Sequence, residues 1–136
     1  MIDAFHTLNY LRLIGVALVG FGFGSLWYSL LFGNAWMAEM KIEPAEPRPP
    51  MAPLMIRGFL YTLVSTWGLA LVIVSHGTDT WYRGALLGAA VGLLIVGARK
   101  LNSGVWERTS SRLMAINVGH EVALFALQGA LLAVWH

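Results

Sequence analysis

Asn117, His120, Glu121 and Gln128 are the residues whose types and spacing could carry chemistry in this chain. They fall at i, i+3, i+4 and i+11, with Leu124 at i+7, so a helix over this stretch lines them along one face. A carboxyl beside an imidazole can exchange protons, and two amides on the same face can hydrogen-bond to neighbouring helices. The stretch around them is apolar. There an ionised carboxylate costs at least a few kcal/mol unless it is protonated, paired or open to water. Ser25, Tyr28 and Ser29 upstream, with Tyr61, Ser65 and Thr66 in the next apolar stretch, are the hydroxyls available as partners; the third apolar stretch offers none. Two readings of Glu121 and His120 stay open: a proton- or solute-handling site, or a polar network that fixes helix register. For Asn117 and Gln128 the register role is expected, since amides are common interhelical glue.

Other chemistries are excluded by what is missing. A zinc-protease pairing needs a second histidine at position 124, where the chain has Leu124. With no cysteine there are no disulfides, thiol nucleophiles or thiolate metal sites. His6, His76 and His136 lack ligand spacing, so no metal and no cofactor is expected. No nucleophile and base stand at a recognisable spacing, so the chain is not expected to be an enzyme.

The elements that must position these residues follow from composition. Of 136 residues, 57% are hydrophobic and 12% charged, about half the roughly 25% charge of a soluble domain. A spanning helix needs about 20 apolar residues. Four such stretches fit, over about 11–32, 54–75, 81–98 and 110–135, which predicts an all-α, polytopic membrane protein whose four helices form an antiparallel bundle in one transmembrane domain. Glu121 lies nine residues past Arg112, roughly 13 to 14 Å along such a helix and near the middle of a bilayer about 30 Å thick. Ser75 to Thr80 reads as a tight turn joining the second and third helices in a hairpin. All five prolines fall in the loop 43–53, which reads as a stiff, extended connector that cannot be helical; docking of a partner there is the alternative.

Basic residues set the expected orientation. Lys41, Arg48, Arg57, Arg99, Lys100, Arg108 and Arg112 fall on one side, against Arg12 and Arg83 on the other, which places both termini outside the cytoplasm. Arg12 reaches the head groups from its helix end. The net charge of +2 arises from residues flanking apolar segments, so the expected contacts are lipid head groups rather than nucleic acid.

Gly84, Gly88 and Gly92 stand four apart on one face of the third helix, and Gly20 and Gly24 repeat the spacing on the first. Such faces let backbones approach closely, either within the bundle or between subunits.

Trp27-Tyr28-Ser29 with Phe32, Gly33 and Trp36, followed by Glu107-Arg108 and by Asn117 with Gly119 and His120, resembles bacterial membrane proteins of the domain of unknown function 1761 family. The resemblance covers the first and fourth helices, with Leu30 and Gly119 departing from the family pattern. It implies a four-helix integral membrane protein of the bacterial inner membrane and supplies no activity. The two motifs would meet in one layer holding Tyr28, Ser29, Asn117 and His120, with Glu107 pairing below it with Arg108, Arg112 or Lys41. The expected role is a structural or accessory membrane protein, a homo-oligomer through its glycine faces or part of a larger complex. The alternative is a small oligomeric transporter using Glu121 and His120.

Overall fold

The computed structural model describes residues 2–40 and 50–135; the side chains of Ile2 and Ala4 are outside that description. Among the described residues the chain is all helical, with no strand. A short helix α1 (Ile2–Thr7) leads to α2 (Tyr10–Leu26), whose start is fixed by Asn9: its side-chain oxygen accepts from the backbone N–H of Leu11 and Arg12 at 3.1 and 3.2 Å. At Trp27–Leu31 the helix widens into a π turn, stops at Phe32, and resumes as α3 (Gly33–Met40).

The next helix, α4, spans Met51–Ser75. It therefore includes Pro53, contrary to the expectation that the whole 43–53 stretch is non-helical. Proline is tolerated there because the first-turn N–H groups have no acceptor within the helix. The rest of that loop, including Lys41, Glu43, Glu46 and Arg48, lies outside the described residues. Ser75–Thr80 is the tight turn expected: Gly77 adopts φ +70°, and Thr78 N–H closes back on the Ile73 carbonyl at 3.2 Å.

The third long helix runs past its expected end. It comprises α5 (Trp81–Val91), a π turn (Gly92–Gly97) and α6 (Ala98–Trp106), so Arg99 and Lys100 stand on a helix rather than in a loop. The chain then reverses at Arg108, φ +56°, and enters α7 (Ser111–Val134), where the Ser110 hydroxyl accepts from Leu113 N–H at 3.1 Å.

Among the described residues, four helices are long and apolar enough to cross a membrane: Tyr10–Leu31, Met51–Ser75, Trp81–Trp106 and Ser111–Val134. The last is the central one. It packs against α2, α4 and α5, and 44% of its apolar window is buried against 22% for each of the others. The most polar span is thus the most enclosed. The apolar core gathers Leu13, Val16, Leu69, Ile73, Leu124, Phe125 and Leu132 around it. Outward faces carry exposed Leu11, Leu18, Leu30, Leu60, Val64, Leu86 and Leu94. The hairpin partners α4 and α5 scarcely pack on each other; α5 lies along α7 instead.

The glycines explain that preference. A side chain at Gly84 would collide with the Gly129 carbonyl, one at Gly88 with the Phe125 carbonyl, and one at Gly92 would come within 2.8 Å of the Glu121 carbonyl. As numbers rise along α5 they fall along α7, so the two helices run in opposite directions with their backbones in contact. On α2, Gly20 and Gly24 instead make room for side chains of α7, Gln128 and His120. Both glycine faces are therefore occupied by packing within the chain.

Candidate functional site

Both π turns meet the first half of α7, the first through its side chains and the second by direct packing. The first carries Trp27 and Tyr28, and the second begins at Gly92 beside Glu121. A π turn adds a residue to one turn and so rotates everything after it. In the third helix this keeps the small residues in line: Gly97 follows Gly92 by five, is buried as Gly92 is, and a Cβ on it would meet the Val118 side chain at 3.1 Å. Lys100 and Gly104 then fall at i+3 and i+7 from Gly97, on the face turned to α7.

That register brings the Lys100 ammonium to the Glu121 carboxylate. Nζ donates to Oε1 at 2.6 Å, with 42% of the Lys100 side chain exposed against 12% of Glu121. His120 Nδ1 lies 3.3 Å from the same oxygen. The partner of Glu121 is therefore a lysine of the third long helix together with the adjacent histidine, rather than any of the hydroxyls named above. Ser25 and Ser29 each donate to the carbonyl four residues back on α2 or its π turn, Ser65 donates to the Thr62 carbonyl, and Tyr61 faces outward. Hydroxyls in helices often bond back this way, which leaves them satisfied locally. Ser29 thus stays outside the polar layer expected to hold it.

Tyr28 and Asn117 do meet: the phenol donates to Asn117 Oδ1 at 2.8 Å. One residue away on each helix, Trp27 Nε1 donates to the Ile116 carbonyl at 3.2 Å. Trp27 reaches α7 because position 119 is glycine; a Cβ there would sit 3.3 Å from its ring.

His120 is 8% exposed and enclosed by rings. Phe23 stacks on it with centroids 5.8 Å apart and planes at 16°, while Tyr28 and Trp27 lie at 4.9 and 6.0 Å. Its Nε2 is buried with no hydrogen-bond partner among the described residues, and it points to Gly24, where a Cβ would be 3.2 Å away.

Gln128 forms a separate polar point two turns further along α7. Its amide donates to Thr66 Oγ1 at 2.8 Å and to the Val16 carbonyl at 3.3 Å, and the Thr66 hydroxyl donates in turn to the Thr62 carbonyl at 2.7 Å. Gln128 and Thr66 are both fully buried. Gly20 makes room for the amide, since any side chain there would overlap it.

At the other end of α7, Glu39 rather than Glu107 meets Arg112, at 4.0 Å, and also accepts from the Ser110 hydroxyl at 2.6 Å. A pocket of about 180 Å³ opens nearby between α6 and α7, lined by Lys100, Ser103, Glu107, Thr109, Met114 and Asn117 among others. It connects the rim of the bundle to the Lys100 and Asn117 side chains.

Lys100 is the residue that sequence reasoning missed. A third helix ending at Ala98 leaves Lys100 among the loop cations, whereas the helix runs on to Trp106. The signal that could have found it is the continuation of the glycine stripe through Gly97 and Gly104, with Lys100 on the same face.

An all-α fold with four membrane-length helices and its polar residues gathered on the central one defines the class of this protein. The chain belongs to the family described as Protein of unknown function (DUF1761), whose family model matches residues 11–133. No curated protein and no solved structure matches it significantly.

Proposed function

We propose that the chain is a multi-pass integral membrane protein of the bacterial cytoplasmic membrane, acting as a structural or accessory component whose polar residues clasp the bundle from within. One observation carries this reading: of the four polar side chains on the inner face of α7, all but His120 are bonded to a neighbouring long helix. Gln128 holds α2 and α4, Asn117 holds the π turn of α2, and Glu121 holds α6. In lipid, where burial of apolar surface gives helices no net reason to associate, such bonds and close glycine contacts supply the cohesion. The exposed leucines and valines suit acyl chains. The excess of basic residues at the end bearing Arg57, Arg99, Arg108 and Arg112 supports termini outside the cytoplasm. With both glycine faces occupied, association into a homo-oligomer or a larger complex would use the outward apolar faces.

Membrane fractions washed with alkaline carbonate test the first part, and release of the protein would overturn it. Orientation is tested by single cysteines at His6 and Asn102 in this cysteine-free chain. An impermeant thiol reagent on intact cells should label position 6 alone; labelling of 102 alone would reverse the topology.

A second reading, proton or small-solute movement through Glu121 and His120, is favoured by the buried, unpartnered Nε2 beside an ion pair that a pocket reaches from one end. It requires that a well-folded Glu121→Gln protein in vesicles lose any flux the native protein shows. Normal flux would remove the reading.

A further inference from the structure

The pocket between α6 and α7 has opposite charges at two depths. Lys100 lies at its inner end, bonded through one of three ammonium donors to Glu121, with 42% of its side chain still exposed. Asn117 stands beside it. Its oxygen accepts from Tyr28, and its amide nitrogen has no partner among the described residues. Glu107 lies seven residues after Lys100, two turns nearer the rim, about 10 Å along the helix axis. Ser103 and Thr109 supply hydroxyls between these ends. The volume of about 180 Å³ is an order of magnitude above the roughly 10 to 15 Å³ that a single water needs.

Charge balance selects the occupant. Glu121 already neutralises Lys100, so a free anion would face Glu107 with no surplus cation among the described lining residues to hold it. A free cation would pair with Glu107 but leave the spare N–H groups of Lys100 and Asn117 unused. A molecule with both signs satisfies both ends: its anionic oxygens take the spare N–H groups of Lys100 and Asn117, and its ammonium donates to Glu107.

We propose that this pocket binds a small zwitterion carrying a primary ammonium and a phosphate or carboxylate, its anionic end on Lys100 and Asn117 and its ammonium on Glu107. Two sources share this chemistry, an aminophospholipid headgroup and a free amino phosphate or amino acid. The order of charges, anion deeper and ammonium nearer the rim, is that of a phosphatidylethanolamine headgroup seated at the basic end of the bundle. The lipid source rests on the membrane reading; the free zwitterion does not.

The test uses the full chain purified in detergent. Binding of phosphatidylethanolamine and phosphatidylglycerol is compared by native mass spectrometry, with free phosphoethanolamine as competitor. Phosphatidylethanolamine should be retained in preference, and Glu107→Gln should weaken it roughly tenfold, as expected for loss of a charge-assisted hydrogen bond, with an unchanged melting temperature. Ser103→Phe, which fills an exposed part of the pocket, should also abolish retention. Displacement by phosphoethanolamine identifies the free zwitterion as sufficient; retention without displacement identifies the lipid. Equal retention of the two lipids, or full retention by either variant, would overturn the proposal. A carbonate-resistant protein that does not discriminate between the lipids fails here while the membrane reading stands.

Discussion

The Lys100 ammonium lies 2.6 Å from a carboxylate oxygen of Glu121, across the boundary between α6 and α7. The pair is asymmetric. Lys100 is 42% exposed and sits on a flexible stem, whereas Glu121 is 12% exposed and fixed near the middle of its helix. Losing either partner leaves a charge unmatched, and the cost depends on which charge can still reach water.

Lys100→Met should therefore destabilise the protein more than Glu121→Gln. The first leaves a nearly buried carboxylate with His120 alone, a cost on the order of 1 to 3 kcal/mol. The second leaves an ammonium that can swing outward. The double variant Lys100→Met/Glu121→Met should recover most of the loss, because no charge remains to be desolvated. Denaturation of all three in one detergent checks the order, and a larger loss for Glu121→Gln would reverse the assignment.

The unequal legibility of this site has a physical basis. The spans could be read because burial of about 20 apolar residues leaves a continuous record in the sequence, and Tyr28 with Asn117 because each lies a similar distance from the same bundle end. The glycine spacing showed close approach but could not name α7 as the partner, since a small-residue face is blind to what covers it. Lys100 escaped because a cation eight residues after Gly92 on a regular helix has a different azimuth from one beyond a π turn. The π turn itself has no residue signature comparable to a proline or a cap.

Gly88 gives the corresponding prediction for packing. Its Cα hydrogen faces the Phe125 carbonyl directly, so even Gly88→Ala must separate α5 from α7. A loss of about 1 to 3 kcal/mol is expected, in the range of core overpacking. Because the contact is within one chain, particle mass in detergent should not change. A smaller particle with unaltered thermal stability would instead place this face between subunits.

Arg108 offers a stabilising change. It holds φ +56° at the turn between α6 and α7, where Thr109 N–H closes on the Gly104 carbonyl at 2.9 Å. Glycine takes this conformation without the clash of a Cβ. Arg108→Gly should raise stability by up to about 1 kcal/mol, the left-handed penalty less the extra entropy of an unfolded glycine. An unchanged or lower melting temperature would show that the arginine side chain contributes more than its backbone costs.

Gln128 and Thr66 distinguish a polar clasp from incidental polarity. Thr66→Val removes the hydroxyl that accepts from the Gln128 amide but keeps the shape, leaving a fully buried donor short of a partner. That should cost on the order of 1 to 3 kcal/mol. Gln128→Leu frees the Thr66 hydroxyl of an acceptor role while its own bond to the Thr62 carbonyl persists, so the hydroxyl remains satisfied as a donor. The loss should be smaller, and the two changes together should cost less than their sum, because the second removes the group that the first left unpaired. Yet the double variant should lose something that thermal stability does not report. With Gln128 absent, nothing polar at this level fixes α4 against α2, and an apolar helix face can slide in register at little cost. Cysteine pairs placed across α2 and α4 would measure this as cross-linking at more than one register. A single register in the double variant would mean that the core leucines and glycines suffice, and that Gln128 is not what aligns these helices.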